Sequence, residues 1–168
     1  MAIGIETERK LIIKLPDISL LAREDGYRKS EIVQTYFSSG DGVTHRVRKR
    51  VYEGETVYTE TKKTRISKMS VIEDERTISE EEYLALLESH QIFGTPLHKS
   101  RHIFSYGGYT VEVDVYPQWT RTCILEVEVE SEEVSLTLPP YIEVLRDVSG
   151  MKAYSNHTMS FAFPEEMI

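Results

Sequence analysis

The sequence predicts an α+β protein built around an eight-stranded antiparallel β-barrel with peripheral helices. Eight segments alternate with a period of two and are rich in Val, Ile, Thr and Tyr, which is typical of strands. Several links between them are short and turn-like, which favours antiparallel hairpins. Eight strands is also a number that can close into a barrel. The predicted strands are 3–13, 30–38, 43–52, 56–63, 71–78, 99–106, 110–115 and 123–130.

Four further segments are predicted to be helical, and they are 17–24, 80–90, 139–148 and 153–161. The second follows Ser79 and has Glu82 three residues later, which is the pattern of a capping box. The third begins with two prolines, which suit the first turn of a helix. No linker or repeat interrupts the pattern, so we expect a single domain over 1–168.

Composition and charge narrow the class of protein. The chain has 168 residues, of which 40% are hydrophobic and 29% charged, as expected for a globular domain. No apolar run is long enough to cross a membrane, and the first ten residues lack the apolar core of a signal peptide. The lone Cys123 excludes an intrachain disulfide. We therefore expect a cytoplasmic protein that does not act at a membrane.

The formal net charge of −8 argues against binding to a nucleic acid polymer, which depends on a basic surface. Basic residues nevertheless cluster at 46–50 and 62–68. An acidic protein with such patches suggests a small anionic ligand as its partner.

The ionisable residues lie on one face of nearly every predicted strand, because residues i and i+2 point to the same side. Their signs are also sorted, acid beside acid and base beside base. The sets that share a face are Glu6, Glu8 and Lys10; Arg46, Arg48 and Arg50; Glu73 and Glu75; Lys99 and Arg101; Glu112 and Asp114; and Glu126, Glu128 and Glu130.

A half-exposed sheet with a solvated outer face would explain any one of these strands. It explains the whole set less well, because like charges on neighbouring positions repel unless an opposite charge binds between them. Carboxylate clusters suit hard divalent cations, and Arg or Lys clusters suit phosphate oxygens. The pattern therefore predicts a polar tunnel that binds a metal–polyphosphate complex. Strand phase alone leaves open whether Lys62 or Lys63 points inward, and whether Glu60 adds a lining carboxylate.

The ordered motifs resemble the CYTH domain family, also called triphosphate tunnel metalloenzymes, over essentially the whole chain. The first is Glu6-Thr7-Glu8-Arg9-Lys10, an E-x-E-x-K pattern. The later motifs are Arg46-Val47-Arg48, Thr61-Lys62-Lys63, Glu73-Asp74-Glu75-Arg76, Lys99-Ser100-Arg101, Glu112-Val113-Asp114, Glu126-Val127-Glu128 and Tyr154-Ser155-Asn156.

The resemblance implies an eight-stranded tunnel that binds a linear triphosphate with Mg²⁺ or Mn²⁺. By position, it implies that Glu6, Glu8 and Lys10 are catalytic, with Lys10 contacting phosphate or orienting the water. The residues implied to bind phosphate are Arg46, Arg48, Lys62 or Lys63, Lys99 and Arg101. The residues implied to hold metal are Glu6, Glu8, Glu126, Glu128 and Asp114, and those implied to complete the lining are Glu73, Glu75 and Glu112.

The expected activity is metal-dependent hydrolysis of inorganic tripolyphosphate to pyrophosphate and phosphate, because no segment is an obvious binding site for a base or a thiazolium ring. Four alternative functions remain open: a nucleoside triphosphatase, a thiamine triphosphatase, a class IV adenylate cyclase and a non-catalytic polyphosphate- or nucleotide-binding module. A plain barrel scaffold fits the sorted charges least well. A homodimer is possible, although no unpaired apolar stripe argues for it.

Overall fold

The computed structural model describes residues 2–167 and contains a closed antiparallel barrel. The strands follow one another around the barrel in the order β5-β4-β3-β2-β6-β7-β8-β1, and β5 pairs with β1 to close it. The strands are β1 (Ala2–Lys14), β2 (Asp25–Phe37), β3 (Val43–Tyr52), β4 (Glu55–Arg65), β5 (Ser70–Ile78), β6 (Ile92–Tyr106), β7 (Tyr109–Val115), β8 (Thr122–Glu128) and a short β9 (Val144–Asp147). The predicted α+β class and eight-stranded barrel are confirmed.

Strand β1 closes the barrel because its two halves have different partners. Its first half pairs with β5, from Ala2 opposite Glu75 to Thr7 opposite Ser70. Its second half pairs with β8, from Glu8 opposite Glu128 onward. The first motif therefore lies where the two ends of the sheet meet.

Three short helices pack around the barrel: α1 (Ile18–Leu21), α2 (Glu80–Ser89) and α3 (Asn156–Phe161). Helix α2 begins with the predicted capping box, since Ser79 and Glu82 each accept a hydrogen bond from the other's backbone N–H. The predicted 153–161 helix is divided into a 3₁₀ turn at Lys152–Tyr154 and α3, because Ser155 adopts an extended conformation and caps α3.

The helix predicted at 139–148 is wrong. The prolines are followed by a turn, in which the Ile142 N–H donates to the Pro139 carbonyl, and then by β9. Strand β9 pairs with Leu11–Ile13 of β1, on a stretch of β1 that β5 does not reach. An open strand edge needs hydrogen-bond partners, and this tertiary demand outweighs the local preference for a helix.

The strand faces are sorted as the periodicity predicts, with apolar residues outward under the helices and loops. One outer cluster contains Leu11, Val113, Leu125 and Val127 and is covered by α1 and by residues 134–142. A second outer cluster packs against α2 and contains Phe37, Val47, Ile78 and Tyr83. The charged faces therefore point into the barrel.

Helix α3 covers the barrel at the end where the inward-facing residues become apolar. Ile12 and Ile124 continue the faces of Lys10 and Glu126, and they pack in one cluster with Met159 of α3. The helix can approach β6 closely because Gly94 has no side chain: a Cβ there would lie 2.4 Å from the Ser160 carbonyl oxygen. No helix within residues 2–167 has the length and apolar character to cross a membrane.

Candidate active site

A cavity of about 810 Å³ occupies the barrel interior. Its wall is formed by charged side chains from seven strands, together with loops at one mouth. The sequence-predicted residues on this wall are Glu6, Glu8, Lys10, Arg46, Arg48, Lys63, Glu73, Glu75, Arg101, Glu112, Glu126 and Glu128. The structure thus brings together twelve residues that are spread over most of the chain.

The structure also shows which lysine of the β4 pair faces inward. The ammonium Nζ of Lys63 lies 3.5 Å from Glu6 Oε1 and 3.5 Å from Glu73 Oε2. Lys62 is exposed on the outer face, where it shares a small cleft with Glu60. Lys63 is therefore the residue of this pair placed to meet a ligand in the barrel, and Glu60 does not line the cavity.

Lys99 and Asp114 lie behind the cavity wall, and both side chains are completely buried. Lys99 Nζ is 2.9 Å from Asp114 Oδ2, and Arg101 donates two hydrogen bonds of 2.7 and 2.8 Å to the same carboxylate. Burial alone would raise the pKa of Asp114, but Arg101 and Lys99 outweigh it and hold that pKa well below its usual range. Burial and Arg101 lower the pKa of Lys99 to about 7.

Asp114 therefore orients Arg101 toward the cavity. Its predicted role as a metal ligand remains a prediction, and an ion bound there would have to compete with two cations for the same oxygens.

One part of the wall has more negative than positive charge. Lys10 Nζ lies 3.3 Å from Glu126 and 3.7 Å from Glu8, so the two carboxylates share this ammonium group, and Glu126 also lies 3.4 Å from Arg101 Nη2. Burial and the nearby Glu126 raise the pKa of Glu8 to about 7. Burial also opposes the charge on Glu126, but Lys10 lowers its pKa to about 2. Burial would lower the pKa of Lys10, yet Glu126 and Glu8 raise it to about 12.

The neighbouring carboxylates extend this acidic wall. Burial raises the pKa of Glu6, and a hydrogen bond to Glu73 adds to the effect. Burial, and then the charge of Glu6, raise the pKa of Glu128. Raised values at Glu6, Glu8 and Glu128 indicate a site that a cation would stabilise.

The part of the wall formed by β3 has the opposite imbalance. Burial, with Arg46 and Arg101 nearby, lowers the pKa of Arg48 to about 9. Arg46 Nη2 is 4.0 Å from Glu75, while its buried Nε has no hydrogen-bond partner within residues 2–167. The guanidinium groups of the buried Arg46 and the half-buried Arg48, with so few anionic partners, form a site that an anion would stabilise.

Comparison with solved structures identifies the fold of this barrel. The inorganic triphosphatase NE1496 is 23% identical, with a TM-score of 0.59, over 95% of this chain and 97% of that one. A putative adenylate cyclase from Bacillus halodurans is 24% identical, with a TM-score of 0.54, over 79% and 84% of the two chains. A Hippeastrum protein described as a putative adenylyl cyclase with a dominant triphosphatase activity is 15% identical, with a TM-score of 0.50, over 75% and 81%. This chain has the CYTH-type triphosphate tunnel fold. No protein-family profile and no curated protein sequence matches it.

The sequence does not predict the roles of Gln34 and Tyr36, two uncharged residues that contact the arginines of β3. Tyr36 lines the cavity, and its hydroxyl accepts a hydrogen bond of 3.1 Å from Gln34. A hydrogen bond from Arg46 to Tyr36 is among the contacts that raise the pKa of that arginine against the effect of its burial. The i, i+2 rule places residues 34 and 36 on one face of β2, but the pattern of charges along the strands does not point to them because neither carries a charge.

The acidic wall of the tunnel fits a divalent cation by its chemistry. Its donors are carboxylate oxygens, which Mg²⁺ and Mn²⁺ prefer, and within residues 2–167 the buried Glu126 Oε1 has only the ammonium group of Lys10, 3.3 Å away, as a partner. In the same part of the chain, no three Asp, Glu, His or Cys side chains converge closely enough to hold an ion by themselves. An ion would therefore take one or two carboxylates from Glu8, Glu126 and Glu128 and complete its coordination with phosphate and water oxygens, as Mg²⁺ usually does.

Proposed function

We propose that this protein is a metal-dependent triphosphatase whose leading substrate is inorganic tripolyphosphate, which it cleaves to pyrophosphate and phosphate. The observation that carries the proposal is the charge separation inside one cavity. Arg46 and Arg48 have few anionic partners, while Glu8 must share the ammonium group of Lys10 with Glu126. A phosphate chain with its metal ion satisfies both walls at once. The inorganic triphosphatase activity of NE1496 and the dominant triphosphatase activity of the Hippeastrum protein support this choice.

The basic wall would bind and neutralise the substrate. Phosphoryl transfer depends mainly on position and charge, so Arg46, Arg48 and Arg101 would supply much of the catalysis by fixing the phosphate oxygens. Arg101 is well suited because Asp114 holds its guanidinium in one orientation. Lys63 would contribute a further positive charge between Glu6 and Glu73.

The acidic wall would serve the attacking water. When bound, the divalent ion supplies neutralisation of the phosphate charge and polarises the phosphoryl group. Glu6 or Glu8 can position the water through a carboxylate oxygen and accept its proton. Lys10 Nζ is held 3.1 Å from the Tyr154 carbonyl and 3.3 Å from Glu126, so it can donate a hydrogen bond to the water or to a phosphate oxygen without moving far.

Phosphate release from tripolyphosphate, ATP and thiamine triphosphate, each assayed with Mg²⁺ or Mn²⁺, tests the proposal. We expect metal-dependent turnover that is fastest on tripolyphosphate and is abolished by EDTA, because the acidic wall cannot approach a polyanion without a cation. Cyclic AMP as the main product from ATP would contradict the hydrolase assignment. A protein that binds tripolyphosphate without cleaving it under any of these conditions would instead be a binding module.

A further inference from the structure

Gln34 makes contacts that fix the orientation of Arg48. It lies opposite Arg48 in the β2–β3 pairing, and it is completely buried. Its side-chain oxygen accepts two hydrogen bonds, from Arg48 Nε at 3.1 Å and from Nη2 at 2.8 Å. Its side-chain nitrogen donates to the Tyr36 hydroxyl at 3.1 Å. An amide that is satisfied at both ends has one favoured orientation, so it holds the guanidinium on the cavity wall.

Arg48 is paired with a neutral amide, whereas the other tunnel cations that are not exposed are each paired with a carboxylate. Within residues 2–167, the other tunnel cations that are not exposed to solvent each lie no more than 4.0 Å from a carboxylate, and they are Lys10, Arg46, Lys63, Lys99 and Arg101. Arg65, Lys68 and Lys152 also line the cavity, but their side chains are exposed. Arg48 makes no such ion pair in the same part of the chain, and its guanidinium group instead donates two hydrogen bonds to the neutral Gln34.

A neutral acceptor orients a guanidinium without cancelling its charge. The depressed pKa of Arg48 agrees with this, because burial and the like charges of Arg46 and Arg101 outweigh the anionic groups near it. A glutamate in the same place could make the same hydrogen bonds, but it would also neutralise the charge that an incoming phosphate must meet.

We propose that Gln34 is a positioning residue that aims Arg48 at the tunnel cavity and keeps its positive charge available for the anionic substrate. The inference rests on the proposed triphosphate site and identifies how that site holds a guanidinium group in place without a carboxylate partner. It assigns the affinity for the phosphate chain in part to a residue that carries no charge itself.

Two substitutions separate the hydrogen bond from the charge. Gln34→Glu retains an acceptor oxygen beside Arg48 and adds a negative charge, whereas Gln34→Met removes the acceptor and leaves Arg48 cationic. We expect Gln34→Glu to weaken binding of sodium tripolyphosphate by about 10- to 100-fold, the value of one charged hydrogen-bond partner. Gln34→Met should weaken it less. The measurement is isothermal titration calorimetry in EDTA, with Gln118→Glu on an exposed turn as the charge-matched control.

The inference is tested by which of the two variants has the lower affinity for tripolyphosphate. A purely structural role for Gln34 predicts the reverse order, with Gln34→Met more damaging than Gln34→Glu, and that result would overturn the inference. So would affinities for both variants equal to that of Gln118→Glu. If the wild-type protein binds tripolyphosphate but does not hydrolyse it with metal, the proposed activity is wrong. The order of the two affinities then still tests the role of Gln34. If the wild-type protein does not bind tripolyphosphate in EDTA, the positive charge of Arg48 does not attract the phosphate chain and the inference about Gln34 is wrong. If the protein also fails to cleave tripolyphosphate with Mg²⁺ or Mn²⁺, the proposed function is wrong as well.

Discussion

Glu8→Gln should reduce hydrolysis of tripolyphosphate by about 100-fold or more while making the metal-free protein more stable at pH 8. The loss of activity follows because an amide is a poor ligand for the cation and a poor acceptor for the proton of the water. The gain in stability follows from the raised pKa of Glu8. The folded protein holds a proton that the unfolded chain releases, so wild-type stability falls as pH rises from about 4.5 to about 7.

The variant has no carboxyl group at this position and should not show that decline, a difference of about 1–3 kcal/mol at pH 8 after allowance for solvent screening. Urea unfolding in EDTA at pH 5 and pH 8, with phosphate release at pH 8, measures both effects. Glu133→Gln, a change of the same kind at an exposed position, is the control and should alter neither quantity. Full activity in Glu8→Gln would remove Glu8 from the catalytic assignment.

Asp114→Asn should destabilise the protein by about 3–5 kcal/mol, whether or not a divalent metal is present. The side chain is completely buried between Lys99 and Arg101. Removing its charge leaves the buried Lys99 without its ion pair and takes from Arg101 the carboxylate that accepts two of its hydrogen bonds. Thermal or urea unfolding with and without Mg²⁺ measures the change.

Glu112→Gln is the matched control, because Glu112 also contacts Arg101, at 2.9 Å, but from a more exposed position. It should cost much less, about 1 kcal/mol or below. If Asp114→Asn leaves the stability of the metal-free protein unchanged and weakens only metal binding, Asp114 is a metal ligand and the structural role described for it is wrong.

The alternation of charges along the strands was sufficient to predict both the barrel and the inward direction of most of the charged faces. The reason is that strand phase is strict: once Leu11 and Val127 are buried outward, Lys10 and Glu126 must point the other way. The same rule is enough to predict that Glu6 and Glu8 form part of the cavity wall.

Other features depended on contacts between distant segments, which no local pattern contains. Lys63 is distinguished from Lys62 by its pairing with Glu6 of β1, far away along the chain. The burial of the Asp114 side chain depends on how β6 pairs with β7. The sequence alone therefore could not show whether Asp114 is a metal ligand or a buried counter-ion. Strand β9 forms because β1 has an open edge, and two prolines at 139 and 140 gave the opposite local signal.

The most direct test of the central claim is a crystal structure with Mn²⁺ and a non-hydrolysable imido analogue of tripolyphosphate. We expect the phosphate chain to lie in the barrel with oxygens at Arg46 and Arg48, and an anomalous Mn²⁺ peak between that chain and the carboxylates of Glu8 and Glu126 or Glu128. A phosphate chain bound outside the barrel, or an Mn²⁺ peak away from these carboxylates, would contradict the account.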